Sequence, residues 1–233
     1  MRLTVAALAV GVSGHGRASD YPAVPEPMIF DMMRPLGARR GELEANILAT
    51  APLSGPDRPL SWAPEVEYAL ADGFAIEGEL PFENGRPVEY KLGLQAAFGS
   101  FDGGRSAHGV QYLGIYDRHE QRYSSSLAYM VVHRFSDRWS GVSMAGLWDI
   151  DTKRRTGRNA AIVNQSLFYD ASDASVIGLE INYLGGQEGH MLIMPQLHLT
   201  MTEAMGVQAG LGFHKDRGKK GRPHAGLRVI RQF

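Results

Sequence analysis

Seven glutamates are spaced so that their carboxylates can act together. Glu42 and Glu44, Glu65 and Glu67, and Glu77 and Glu79 form pairs two residues apart, and Glu89 is followed at the same spacing by Lys91. Side chains two residues apart point to the same side of an extended chain, so each pair turns two negative charges in one direction. A wall of this kind favours cations or polar solutes. Satisfied by Glu–Lys and Glu–Arg pairs instead, the same wall would brace the fold and block flow.

The remaining reactive side chains are less organised. The chain has 8 histidines, and none shows a metal spacing such as HExxH. His198, His214 and His224 fall on three successive predicted strands and could share one level, yet no metal and no cofactor are expected. His119 and His133, with Ser124 to Ser126, are the loose candidates for a base and a nucleophile, and their spacing specifies no hydrolytic site. Gly103-Gly104 lacks the rest of a phosphate-binding loop. There are no cysteines, which removes disulfides, thiolate metal sites and a lipidated cysteine anchor together. With 24 basic against 25 acidic residues, nothing in the charge balance points to nucleic acid.

The elements that carry these residues alternate with a period of two. Val88 to Ala96 sets Val, Tyr, Leu, Leu and Ala against Glu, Lys, Gly and Gln; Pro64 to Leu70 sets Glu65 and Glu67 against Pro64, Val66, Tyr68 and Leu70. The alternation predicts about twelve strands, over 41–50, 62–70, 74–82, 87–98, 106–117, 122–134, 140–150, 159–169, 174–185, 189–200, 206–215 and 223–233, with ten as the alternative count. Three segments, around 108–116, 126–134 and 160–169, do not alternate cleanly. Short turns such as Ala71-Asp72-Gly73 and Thr202-Glu203-Ala204 take turns with longer charged connections such as Pro52 to Pro59 and Asp151 to Arg158. Two connections break that parity: the third, at Glu83-Asn84-Gly85, is too short, and the fourth, Gly99 to Ser106, is too long. Twelve aromatic residues, among them Trp62, Phe82, Tyr116, Phe135, Trp139 and Tyr183, cluster near predicted strand ends.

Ahead of the strands, Met1-Arg2 and the apolar run Leu3 to Val12, with small residues at Gly16 and Ala18, have the layout of a secretory signal peptide over residues 1–18. An irregular, proline-punctuated arm is expected over 19–40, with one helical turn at Phe30 to Met33, and the strands occupy 41–233. The last of them sets Ala225, Leu227, Val229 and Phe233 against Gly226, Arg228 and Gln232, with Ile230 as the apolar exception, and ends on a free aromatic.

An export signal, about twelve alternating segments and the ending Gly226-Leu227-Arg228-Val229-Ile230-Arg231-Gln232-Phe233 resemble bacterial outer-membrane β-barrel proteins of the porin-like, transporter-like class. The resemblance covers roughly 41–233, and Arg231 departs from it where an apolar residue is expected. It implies an all-β fold, an up-and-down antiparallel transmembrane barrel in the outer membrane, with Phe233 read by the barrel-assembly machinery. Apolar faces then meet lipid, and Glu42, Glu44, Glu65, Glu67, Glu77, Glu79 and Glu89 line the lumen with Lys91 and Arg228 as basic partners; closure is expected to bring Arg228 near Glu42 or Glu44. Two external loops become basic clusters, Lys153, Arg154, Arg155 and Arg158, then Lys215, Arg217, Lys219, Lys220 and Arg222, suited to lipopolysaccharide phosphates. The expected function is passive transport or binding of a small polar or cationic solute. The alternatives are a non-conducting structural barrel, a soluble periplasmic all-β binding protein, and an outer-membrane lipid-modifying enzyme; no catalytic motif supports the last.

Overall fold

The computed structural model describes residues 21–30, 34–56, 58–150, 159–187 and 189–233, so the expected signal peptide and Lys153, Arg154, Arg155 and Arg158 lie outside the described residues. The described chain is strand and connection throughout. Its strands are β1 (Leu43–Pro52), β2 (Ser61–Ala71), β3 (Phe74–Glu79), β4 (Phe82–Glu83), β5 (Arg86–Pro87), β6 (Glu89–Phe101), β7 (Ser106–Asp117), β8 (Arg122–Arg134), β9 (Trp139–Trp148), β10 (Ala160–Ser172), β11 (Ser175–Leu184), β12 (His190–Thr202), β13 (Met205–Asp216) and β14 (Arg222–Gln232). Each long strand pairs antiparallel with its sequence neighbours, and β1 pairs with both β2 and β14, so twelve strands close into a barrel with no free edge. Closure matters physically, because an unpaired edge in hydrocarbon would leave a row of unsatisfied backbone groups.

β4 and β5 stand apart from the ring and explain one break in parity. They form a small hairpin that pairs with the start of β2, Trp62 opposite Phe82, and stacks those two rings at 4.1 Å. The third connection is therefore the whole of Leu80 to Val88, because the third strand stops at Glu79 rather than running on to Phe82. The break at the fourth connection closes from the other side. β6 runs on to Phe101, which shortens the connection to Asp102–Arg105. With both boundaries moved, turns such as Asp72-Gly73 and Asp173-Ala174 gather at the end where β1 begins and β14 ends, and longer connections gather at the other. These are the turn end and the loop end.

The outer surface is apolar wherever the strands alternate. Val66, Leu70, Leu92, Leu167, Leu197 and Leu227 point outward and are exposed. Rings mark both rims: Phe74, Phe98, Phe101, Phe135 and Trp139 at the turn end, and Tyr90, Tyr116, Tyr123, Tyr183 and Phe213 at the loop end. An apolar belt between two aromatic girdles is the surface that a bilayer requires of a barrel.

The inner surface is divided, which the sequence expectation of a polar lumen did not include. The wall from β7 to β10 turns Met130, Val132, Val142, Met144, Ile162 and Phe168 inward, and all are buried. Met130, Val132, Ile162 and Phe168 come from segments that alternate poorly, and the reason is now visible. Their inner face is apolar because Val24 and Leu36, from the chain that precedes β1, pack against it inside the barrel. On the outside of the same wall, the polar residue Gln165 is satisfied by accepting from Ser143 Oγ at 2.7 Å and donating to the Val142 carbonyl.

Candidate functional site

Residues Tyr21 to Phe30 and Arg34 to Glu42 form an arm lodged in the lumen. Its composition suits that place. Pro22, Pro25, Pro27 and Pro35 carry no N–H, so a buried extended run brings fewer donors that need partners. Three consecutive N–H groups do need them, and one side chain answers: Glu180 on β11, fully buried, accepts from the backbone N–H of Met28 at 2.9 Å, Ile29 at 3.0 Å and Phe30 at 2.6 Å. Asn182 Nδ2 and Gln196 Nε2 donate to the same carboxylate and fix its orientation. Two residues upstream, Glu26 meets Arg228 of β14 in a buried ion pair. Met28, 1% exposed, sits against Gly210 and Gly226, where an added Cβ would come within 2.5 and 2.8 Å of its terminal methyl. Two glycines facing inward on adjacent strands thus make the space the arm occupies. At the turn end Arg34 pairs with Glu42 at 3.1 Å, Gln95 donates to the Arg34 carbonyl, and Arg134 Nε donates to the Ala23 carbonyl. Of the expected helical turn, residues 31–33 fall outside the described residues.

The glutamates occupy the opposite wall in two rungs. Register places Glu44, Glu67 and Glu77 side by side across β1, β2 and β3. The next rung runs from Asn46 through Glu65 and Glu79 to Lys91. Like charges directly opposite one another repel, and three cations meet this excess. Lys91 pairs with Glu79 at 3.0 Å. Arg228, 3% exposed, lies 3.7 Å from Glu65 and 3.9 Å from Glu67 as well as against Glu26. Arg34 holds Glu42, which precedes β1 and stands at the rim rather than in the wall. Glu89 opens β6 at the loop end, half-buried.

The expected neighbours of Arg228 need correction. The β1–β14 register sets Arg228 opposite Leu48, while Glu44 lies opposite Gln232, which donates to it at 3.4 Å. The guanidinium therefore reaches the second strand and the arm rather than Glu42 or Glu44. A second correction concerns the histidines. His214 and His224 do neighbour each other, with ring centroids 5.5 Å apart, but the third ring on their level is His190, at 5.1 Å from His214. His198 lies farther along β12 toward the turn end, against Phe168 and Gln196. Antiparallel pairing puts the start of β12 beside the end of β13, and that decides which ring joins.

His119 and His133 sit at opposite ends of β8, so they form no dyad with Ser124 to Ser126. His133 instead contacts Ser106 and packs edge-on against Phe135 on the outer surface. Among the basic loop residues, Arg217 donates to the Gly186 carbonyl, and Lys219 and Arg222 lie by Asp216; Lys215 and Lys220 are exposed. Phe233 is 69% exposed, its N–H donates to the Leu43 carbonyl and the Arg231 guanidinium lies over its ring. That contact gives the departing arginine a place. Among the described residues no cluster of His, Cys, Asp and Glu could hold a metal.

The arm leaves open space on either side of itself. At the turn end are cavities of about 600 and 340 Å³. A crevice of about 120 Å³ runs between the arm and the acidic wall, lined by Glu65, Glu79, Lys91 and Arg228. At the loop end a chamber of about 290 Å³ lies above Ile29 and Phe30. Glu26, Glu180 and Met28, which build this site, carried no sequence signal of their own. The poorly alternating segments were the available clue, since apolar residues on both faces of a barrel strand require something apolar inside.

No protein-family model and no curated protein matches the chain. Solved structures do. The KdgM porin superposes with a TM-score of 0.65 at 9% identity, over 82% of this chain and 99% of that one. The NanC porin gives 0.65 at 9% identity, over 82% and 100%. An outer-membrane channel from Pseudomonas putida F1 gives 0.59 at 14% identity, over 94% and 100%. Likeness at such low identity is likeness of fold, and it agrees with the closure, the girdles and the parity of the connections: the chain is a twelve-stranded, porin-like β-barrel of the outer-membrane type.

Proposed function

We propose that the protein is an outer-membrane channel for a small polar or cationic solute, held closed by its own N-terminal arm. The observation that carries this reading is the way the arm is seated. It is tied to the barrel by two charged anchors, Glu180 under three N–H groups and the Glu26–Arg228 pair, and the polar crevice beside it is lined by ionisable groups. A segment serving as permanent filling would be expected to pack apolar surface on all sides; this one has an acidic wall on one side. Carboxylates outnumber cations there, which favours positive or polar solutes. Solved structures of the same fold are described as porins and channels, in keeping with passive passage.

The arm also favours a second reading, a non-conducting barrel braced from within. Planar-bilayer conductance separates the two. Wild-type protein is expected to be closed or briefly open, and a chain lacking residues 21–30 to conduct with cation selectivity. Silence from both would leave the structural barrel. Outer-membrane residence, recognition of Phe233 by the assembly machinery and contact of Lys215, Arg217, Lys219, Lys220 and Arg222 with lipopolysaccharide phosphates belong to the same proposal. Membrane fractionation with heat-modifiable gel mobility tests the first of these, and a freely soluble product would end the proposal.

A further inference from the structure

The chamber at the loop end presents mainly apolar surface, although Gln111, Ser126, Asn182 and three histidines also line it. Leu113, Ala128, Trp148, Ile162, Leu184 and Leu192 turn into it from six strands, above the arm's Ile29 and Phe30. Barrel lumens that hold water are lined with polar groups, and protein interiors close voids much larger than a water molecule. This space is mostly apolar in surface, with a minority of polar groups, and it is not closed. At about 290 Å³ it equals the liquid volume of roughly ten waters, enough for a single ring with a short substituent.

We infer that this chamber is a binding site for a small, uncharged aromatic molecule carrying one hydrogen-bonding group. Among the described lining residues there is no aspartate, glutamate, lysine or arginine, and Asp216 stands behind His214 at 3.8 Å, so a charged ligand would exchange its hydration for imidazole, amide and hydroxyl groups alone. Trp148 and Phe30 offer flat faces of the kind that pair with a ring. The polar handle is the ladder of His190, His214 and His224 along one side, at centroid spacings of 5.1 and 5.5 Å. A neutral imidazole presents one donor and one acceptor, which suits a hydroxyl or an amide. The floor is held in place: the N–H groups of Ile29 and Phe30 are committed to Glu180. That fixes the backbone from which the two floor side chains rise.

The inference goes beyond the proposed channel, whose acidic wall favours polar or cationic solutes: it adds a separate site at the loop end for an uncharged aromatic molecule, and it rests on the lumen being reached from that side. Its test is binding, which does not require conduction. Full-length protein in lipid nanodiscs is titrated with benzyl alcohol, benzoate and benzylamine while tryptophan emission is followed. The Trp148→Phe variant identifies the signal of the lining residue. Benzyl alcohol is expected to change Trp148 emission saturably, with Kd of about 0.1–1 mM for so small a ligand; benzoate and benzylammonium should bind at least about tenfold more weakly, the scale of one lost polar contact. Ala128→Phe and Ile162→Phe, two independent ways to fill the chamber, should abolish the saturable signal in barrels that still show heat-modifiable mobility. Equal or tighter binding of benzylammonium would overturn the inference, as would a signal that survives Trp148→Phe or both filling variants, or no saturable response from wild type. Saturable binding with a silent bilayer record, even without the arm, would sink passage and leave the site standing; conduction without binding would do the reverse.

Discussion

Replacing Glu180 by glutamine should unseat the arm while leaving the barrel closed. One carboxylate oxygen accepts from the N–H groups of Met28 and Ile29 and from Gln196, and the other accepts from Phe30 and Asn182. Whichever way the amide is turned, its NH₂ faces at least two donors, so at least two hydrogen bonds to a charged acceptor are lost. In the milder orientation one of the two is the arm's, from Phe30, and the other comes from Asn182 on the barrel itself, so the arm loses at least one such bond, about 1.5–3 kcal/mol of docking, and its seating equilibrium constant falls about 10- to 10²-fold. The β-ladder of β11 does not involve this side chain, so heat-modifiable mobility should persist. Hydrogen exchange of the Met28, Ile29 and Phe30 amides, read by fragment mass spectrometry on the intact barrel, measures the change. Protection should fall about tenfold or more, and Glu180→Asp should restore part of it. If protection in a folded Glu180→Gln barrel changes less than about threefold, then apolar packing of Val24, Met28 and Leu36 holds the arm and the carboxylate anchor has been misread.

Two other perturbations address the same seat. Arg228→Met strands Glu26, Glu65 and Glu67 without their cation, and removing one partner of a buried pair costs about 3–5 kcal/mol. The urea midpoint of the gel-mobility transition should drop accordingly and recover in part in Glu26→Gln/Arg228→Met, whereas a loss under about 1 kcal/mol would place this pair with exposed ones. Gly226→Val inserts a side chain where Met28 and Ile29 already stand at 2.8 and 2.9 Å from an added Cβ, an overpacking worth about 1–3 kcal/mol. Adding Met28→Ala should relieve it, and simple additivity in the double-mutant cycle would show that the two do not touch.

The barrel was legible because its outer face obeys one rule. Lipid admits apolar groups, so Leu92, Leu94, Tyr90 and their counterparts keep a strict period of two, and the glutamates between them had to face inward. The register was not legible. Periodicity says which face Arg228 occupies, but only the pairing of Leu48 with Arg228 says how far along the lumen it sits. The arm was harder still, since its partners are scattered from Glu180 to Arg228; Arg228 reads as a lumen cation, but nothing in either strand points to the arm. The displaced end of the third strand has a local cause. The Glu83-Asn84-Gly85 turn is a true tight turn, with Asn84 and Gly85 both at positive φ, but it belongs to the small β4–β5 hairpin and not to the ring.

The Glu26–Arg228 pair joins residues 202 apart in sequence, so the arm's seat is a test of the whole chain. Neither Arg228 nor the full cradle around Glu180 exists until the carboxy-terminal strands are in place. The two glycines that make room for Met28 stand opposite each other only in the observed register of β13 and β14. A slip of that register would therefore be felt by the arm as well as by the wall.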